Sequence, residues 1–203
     1  MNLVINDVDM PLIVKVASIQ KERMQVYFID NDEYFKQEDA FDDQGKLYAD
    51  NDERCIFFAK GIMETVKKLN WSPDVIHIQG WLGALLPLYL RTYYKDEPIF
   101  YHTKTITCFL RPPFEGSLDS ELLSKVGFDE ITEKEAPELK EPHSMNLIKI
   151  AARYSDAITT IKGVLPQEAI SYIESTAKPF LYGETIETTC KAYPQFYKEL
   201  MSK

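Results

Sequence analysis

Cysteine is scarce in this 203-residue chain. Cys55, Cys108 and Cys190 stand far apart, odd in number and without a CxxC pair. That spacing excludes a disulfide framework and a zinc knuckle, and it makes reduced thiols in the cytoplasm the expectation. The three histidines, His77, His102 and His143, fit no zinc spacing, so no metal site is expected. Basic residues are outnumbered: 23 Lys and Arg face 32 Asp and Glu, for a formal net charge of −9. Such a surface repels a phosphate backbone and is not drawn to acidic membranes, so neither nucleic acid nor membrane is an expected partner. It is indifferent to uncharged ligands such as sugars. No apolar run approaches the roughly 18 residues of a membrane span. The start, Met1 to Asp7, lacks the basic and apolar regions of a secretory signal. Walker A and GxGxxG runs are absent, as are repeats and low-complexity tracts.

What is present is a composition able to pack. Apolar residues make up 45% of the chain and charged residues 27%, with 12 Tyr, 11 Phe and 2 Trp. This suits one folded domain over 1–203. Pro11 to Ser18 and Arg23 to Asp30 read as two strands, rich in β-branched and aromatic residues and close enough for an antiparallel hairpin. An acidic, turn-rich loop follows over 31–52. Asn51-Asp52 reads as a helix start. The helix is expected over 53–69, its buried stripe formed by Ile56, Ala59, Ile62, Met63, Val66 and Leu69. Asp74 to Gln79 is a short apolar strand. Gly80-Trp81-Leu82-Gly83 then turns into a second helix over 84–94. A strand over 98–108 leads to a loop, Arg111 to Gly116. A short helix is expected over 118–126 and an exposed charged segment over 129–141. Beyond lie a helix at 146–154, a strand at 156–161, a helix at 166–174, a strand at 179–181 and a final helix at 193–201. This alternation predicts an α/β domain with a mainly parallel sheet, broken by the front hairpin. Ligands of such sheets sit at the carboxyl ends of the strands, which points to Gln79-Gly80-Trp81 and Phe109-Leu110-Arg111.

Each candidate motif has a structural reading beside its functional one. Gly80 and Gly83 serve a tight strand-to-helix turn or, alternatively, cradle a phosphate. His77 lies in an apolar strand and reads first as a satisfied core histidine. Asp30, Asp32, Glu33 and Asp39 read as a solvated loop, since their order does not match a calcium loop. Neither Cys55 nor Cys108 has a neighbouring base for nucleophilic catalysis. Tyr27, Phe28, Tyr34 and Phe35 suit strand packing, with sugar stacking the minority alternative.

Four stretches in register carry a more specific likeness. Val26 to Phe35 (VYFIDNDEYF) resembles the VYFIDNPEYF stretch of bacterial glycogen and starch synthases. Asp50 to Phe58 resembles their DNxERFxFF helix start. Trp71 to His77 is similar to WxPDIIH, and Tyr154 to Thr160 to YADAITT. The match runs from about Met24 to Ala169 and is nearest to short Bacteroidetes-type proteins with the starch-synthase catalytic domain. The resemblance implies a Rossmann-like N-terminal lobe of a GT-B glycosyltransferase. It implies glucosyl transfer from ADP-glucose or UDP-glucose onto an α-1,4-glucan, in glycogen biosynthesis, with no other cofactor.

The departures are as informative. The family's Lys-x-Gly-Gly-Leu loop is not found, so the first βα unit is expected to be lacking and the natural start to lie upstream of Met1. A sheet edge left open this way is expected to pair with the hairpin or with a second copy. No C-terminal nucleotide-binding lobe is expected within 203 residues. The family's HDWH aligns with Gln79-Gly80-Trp81-Leu82, where only the tryptophan is kept. Its TIHNLAYQG aligns with Cys108 to Gly116, which puts Leu110 at the active-site histidine and Arg111 at the asparagine. The expectation is therefore a synthase-like lobe without catalytic residues, inactive as an isolated chain. The alternatives are a glucan-binding or regulatory module and a domain that binds a protein partner. By position in the family motifs, His77, Gly80, Trp81, Glu115 and Gly116 are the expected substrate-binding residues.

Overall fold

The computed structural model describes residues 1–37, 39–112 and 114–202. Pro113 of the Arg111–Gly116 loop lies outside the described residues, as do Glu38 of the acidic loop and Lys203. The chain opens with two antiparallel hairpins. The first joins β1 (Asn2–Ile5) to β2 (Val8–Pro11), with Ile5 opposite Val8. Its two-residue turn, Asn6-Asp7, has φ of 50° and 61°. Such turns match strand twist and favour Asn and Asp, a signal the sequence reading passed over. The second joins β3 (Ile13–Ile19) to β4 (Met24–Asp30) through a 3₁₀ turn at Gln20–Glu22.

Helix α1 (Asn51–Lys68) carries Asp52 and Glu53 in its first turn and Lys67 and Lys68 in its last, as the helix dipole favours. It ends at Asn70, whose φ of 49° is the left-handed conformation that terminates helices. Ile56, Ala59, Met63 and Val66 are buried, and so are Cys55 and Phe57. Leu69, expected in the stripe, is exposed. The helix is covered on more than one side, because the hairpins and the following helices both pack against it.

The centre is a four-stranded parallel sheet: β5 (Val75–Gln79), β6 (Lys104–Phe109), β7 (Ala157–Ile161) and β8 (Phe180–Gly183), in that order. Between them run α2 (Leu86–Arg91), α3 (Leu122–Gly127), α4 (Ser144–Tyr154) and α5 (Gln167–Ser175). The chain closes with α6 (Ile186–Met201). The α/β class, the parallel sheet and the hairpin near the N-terminus are as expected. Strand β6 starts at Lys104 rather than Pro98, because Pro98–Phe100 forms a 3₁₀ turn that uses the proline at its first position. Helix α6 starts seven residues before the expected Tyr193. Pro194 sits inside the helix, and a capping box of Thr185 and Thr188 sets the true start.

Alternation along the strands divides the core. Ile78, Phe109 and Ile158 join the large cluster with α1, α2, α4 and α5. Ile106 and Ala157 point to the other face and meet Leu200 of α6. The segment over 129–141 is corrected in part. Asp129, Ile131, Ala136 and Leu139 are buried while Glu130, Glu133, Lys134, Lys140 and Glu141 stay exposed, so four spaced side chains anchor a polar stretch. Among the described residues, no helix is long and apolar enough to cross a membrane.

Candidate functional site

The carboxyl ends of β5 and β6 open into a cavity of about 770 Å³, within the range of small-molecule sites. It is lined by Gln79, Gly80, Trp81 and Leu82 at and after the end of β5, with Phe109, Leu110, Arg111 and Pro112 at and after the end of β6. Gly80 makes the turn out of β5 with φ of 82°, and its N–H donates to Cys108 O at 2.9 Å. Gly83 ends the following 3₁₀ turn against the strand. A Cβ there would lie 2.5 Å from Ile78 Cγ2. The two glycines thus serve a left-handed conformation and a close approach, which is the strand-to-helix turn read from the sequence.

Trp81 stands at the centre of an aromatic wall. Its ring lies 4.8 Å from Phe114 and 6.4 Å from Phe41, both edge-on. Phe41 comes from the acidic loop, which is more ordered than a solvated loop needs to be. Asn31 starts it: Oδ1 accepts from the N–H groups of Glu33 at 2.9 Å and Tyr34 at 3.0 Å, and Nδ2 donates to Pro11 O. Tyr34 is buried against Phe57 and donates to Glu53 at 2.8 Å. Arg54, 3% exposed, pins the rest. Its guanidinium donates to Asp50 at 3.1 Å, to Asp39 O at 3.1 Å and to Gln37 Oε1 at 3.2 Å, and it lies over Tyr48. Asn51 Nδ2 donates to Ala40 O at 2.7 Å. Gln37, Asp39, Ala40 and Phe41 thereby become one wall of the cavity, facing α1 residues Asn51 and Arg54.

Beneath that wall, Lys125 meets Asp52 at 2.6 Å and Glu53 at 2.9 Å. Burial pushes the Asp52 carboxyl above its ordinary range, against the pull of the Lys125 ammonium. The pair underlies the first turn of α1 and does not line the cavity.

Of the five residues expected to bind substrate, Gly80 and Trp81 line the cavity. His77 does not. Strand alternation turns it to the opposite face, where Nδ1 lies 2.5 Å from Tyr197 OH and the ring meets Tyr193 edge-on. Burial holds its imidazole below the ordinary value. That is the core-histidine reading in part, since Nε2 is buried with no hydrogen-bond partner among the described residues. Glu115 and Gly116 are exposed and lie outside the cavity lining, since Phe114 takes the inward position of that loop. The reading from sequence missed Asn51, Arg54 and Phe41. One signal for Arg54 was available: a cation in the first turn of a helix opposes the dipole and needs a dedicated acceptor set.

Comparison with known proteins gives a consistent picture. The starch synthase catalytic domain family matches residues 2–175. The glycogen synthase of Chlorobium limicola is 30% identical over 159 residues, which cover 77% of this chain and 32% of that protein. The glycogen synthase of Chlorobium phaeovibrioides is 32% identical over 167 residues, covering 77% and 33%. That of Thermotoga maritima is 31% identical over 145 residues, covering 71% and 29%. The chain spans about a third of the length of these relatives. In fold it is similar to the catalytic domain of starch synthase IV from Arabidopsis thaliana bound to ADP and acarbose. The TM-score is 0.69 at 16% identity, over 91% of this chain and 39% of that one.

Proposed function

The chain belongs to the starch synthase catalytic domain family, and from that premise we propose that it serves glycogen metabolism in the cytoplasm as a glucan-holding lobe. It binds α-1,4-glucan in the carboxyl-end cavity and transfers no glucose by itself from ADP-glucose or UDP-glucose. One observation carries this reading: the cavity keeps its aromatic wall around Trp81 while Leu110 and Arg111 stand at its β6 rim. Aromatic faces suit the C–H faces of sugar rings. Leucine donates no hydrogen bond to a sugar hydroxyl or a leaving phosphate. A donor of that kind, where an enzyme has one, is worth several kcal/mol in the transition state.

The test has two arms. The purified chain is given labelled ADP-glucose or UDP-glucose with glycogen, and its binding to maltoheptaose is measured by titration calorimetry. The expected result is no incorporation above a heat-killed control, together with saturable binding that Trp81→Ala abolishes. Incorporation would overturn the non-catalytic half of the proposal. Absence of binding would overturn the glucan half.

A further inference from the structure

Asn51 lines the cavity and is 1% exposed. Its Nδ2 is committed to Ala40 O. That bond fixes which end of the amide is the oxygen, since only the nitrogen can donate to a carbonyl. Oδ1 is buried and has no hydrogen-bond partner among the described residues. A buried acceptor without a donor is costly, and few persist in folded proteins without a reason. The site beside it therefore wants a donor.

The neighbouring groups select the class of donor. The Arg54 guanidinium is already engaged by Asp50, Asp39 O and Gln37 Oε1. On this wall an anion would meet the Asn51 acceptor and a cation whose charge is already compensated by Asp50. The same cavity is lined by the Trp81, Phe41 and Phe114 cluster. A neutral polyhydroxyl ring, with C–H groups for the aromatic side and an O–H for the amide side, fits both.

We infer that Asn51 is a specificity-determining residue: its Oδ1 accepts a hydrogen bond from one hydroxyl of the carbohydrate in the cavity. This rests on the glucan-holding reading and goes further, because it names the group that tells one sugar hydroxyl pattern from another. A site built to bond a particular hydroxyl discriminates strongly against the analogue that lacks it.

The experiment is a titration of the full chain with maltotriose and with each monodeoxy maltotriose, repeated on Asn51→Ala and Trp81→Ala. One monodeoxy ligand is expected to bind the unmodified chain about tenfold more weakly than maltotriose. Asn51→Ala should bind maltotriose more weakly by a similar factor and no longer distinguish that deoxy ligand from the parent. If Asn51→Ala binds maltotriose as tightly as the unmodified chain while Trp81→Ala loses it, Asn51 is not the reader and the glucan reading survives. If the unmodified chain binds no maltotriose, both fall together. Should Asn51→Ala fail to fold, the deoxy series on the unmodified chain decides alone, and equal affinity for every member sinks the inference.

Discussion

Lys60 shows how much one side chain can carry. It is buried, donates to Val4 O at 2.7 Å and pairs with Asp129, which also accepts from Tyr89 OH at 2.7 Å. Three distant segments, β1, α1 and the turn after α3, thus meet at one ammonium. Removing it leaves a buried carboxylate with only a phenol for company. Lys60→Met is expected to cost about 3–5 kcal/mol in urea unfolding. The double variant Lys60→Met/Asp129→Leu is expected to recover most of that loss, because a well-packed apolar pair needs no compensation. A double variant as unstable as the single one would remove the buried-charge account.

At the scale of elements, Arg54 joins a helix to a loop. Its planar fork reaches three acceptors in different directions, which an ammonium cannot do from one point. Arg54→Ala and Arg54→Lys should both speed amide hydrogen exchange over residues 39–50, while exchange in β6 stays unchanged. Exchange in Arg54→Lys equal to that of the unmodified chain would show that charge alone holds the loop. Helix α6 offers a pH test. It lies on the sheet through Tyr197 on His77, through Tyr193 near Cys108 and Thr159, and through Leu200 on Ile106 and Ala157. Burial lowers the His77 pKa from its ordinary value of 6.5. The unfolded chain then binds that proton more readily than the folded one. The stability owed to neutral His77 is complete above about pH 6.5 and is lost as pH falls through the lowered folded value. Thermal unfolding of the unmodified chain should therefore decline more steeply from pH 7.5 to 5.5 than that of His77→Gln. Parallel declines would acquit His77.

At the scale of the whole molecule, stability is unevenly spread. The β3–β4 hairpin leaves Val16, Ile19, Met24 and Phe28 exposed, whereas every residue of β6 except Lys104 is buried. A two-stranded hairpin is marginal in water without a covered face. Amides of β3 and β4 are expected to exchange much faster than those of β6 and β7, through local opening rather than global unfolding. Equal protection in the two regions would mean that the hairpin is held by more than its own ladder.

Much of this protein is determined by local sequence. Alternating and 3.6-residue apolar patterns place β4, α1, β5, α4 and β7 to within a few residues, and Gly80 and Gly83 mark the turn that opens the cavity. These succeed because each depends on residues within one element. Where the expected bounds miss, neighbouring structure decides them, as with the 3₁₀ turn at Pro98–Phe100 before β6 and the capping box that starts α6 ahead of Pro194. The site itself is only half legible. Trp81 and Gly80 follow directly from the end of a parallel strand. Asn51, Arg54 and Phe41 do not, because their roles arise when the acidic loop folds back on α1, bringing residues up to 17 positions apart into hydrogen bonds. His77 sits on the far side from Ile78, and which face holds the cavity is decided only when α6 covers one side of the sheet. Sequence determines the elements and the turn. Tertiary packing decides which polar groups are satisfied and which, like Asn51 Oδ1, find no partner among the described residues.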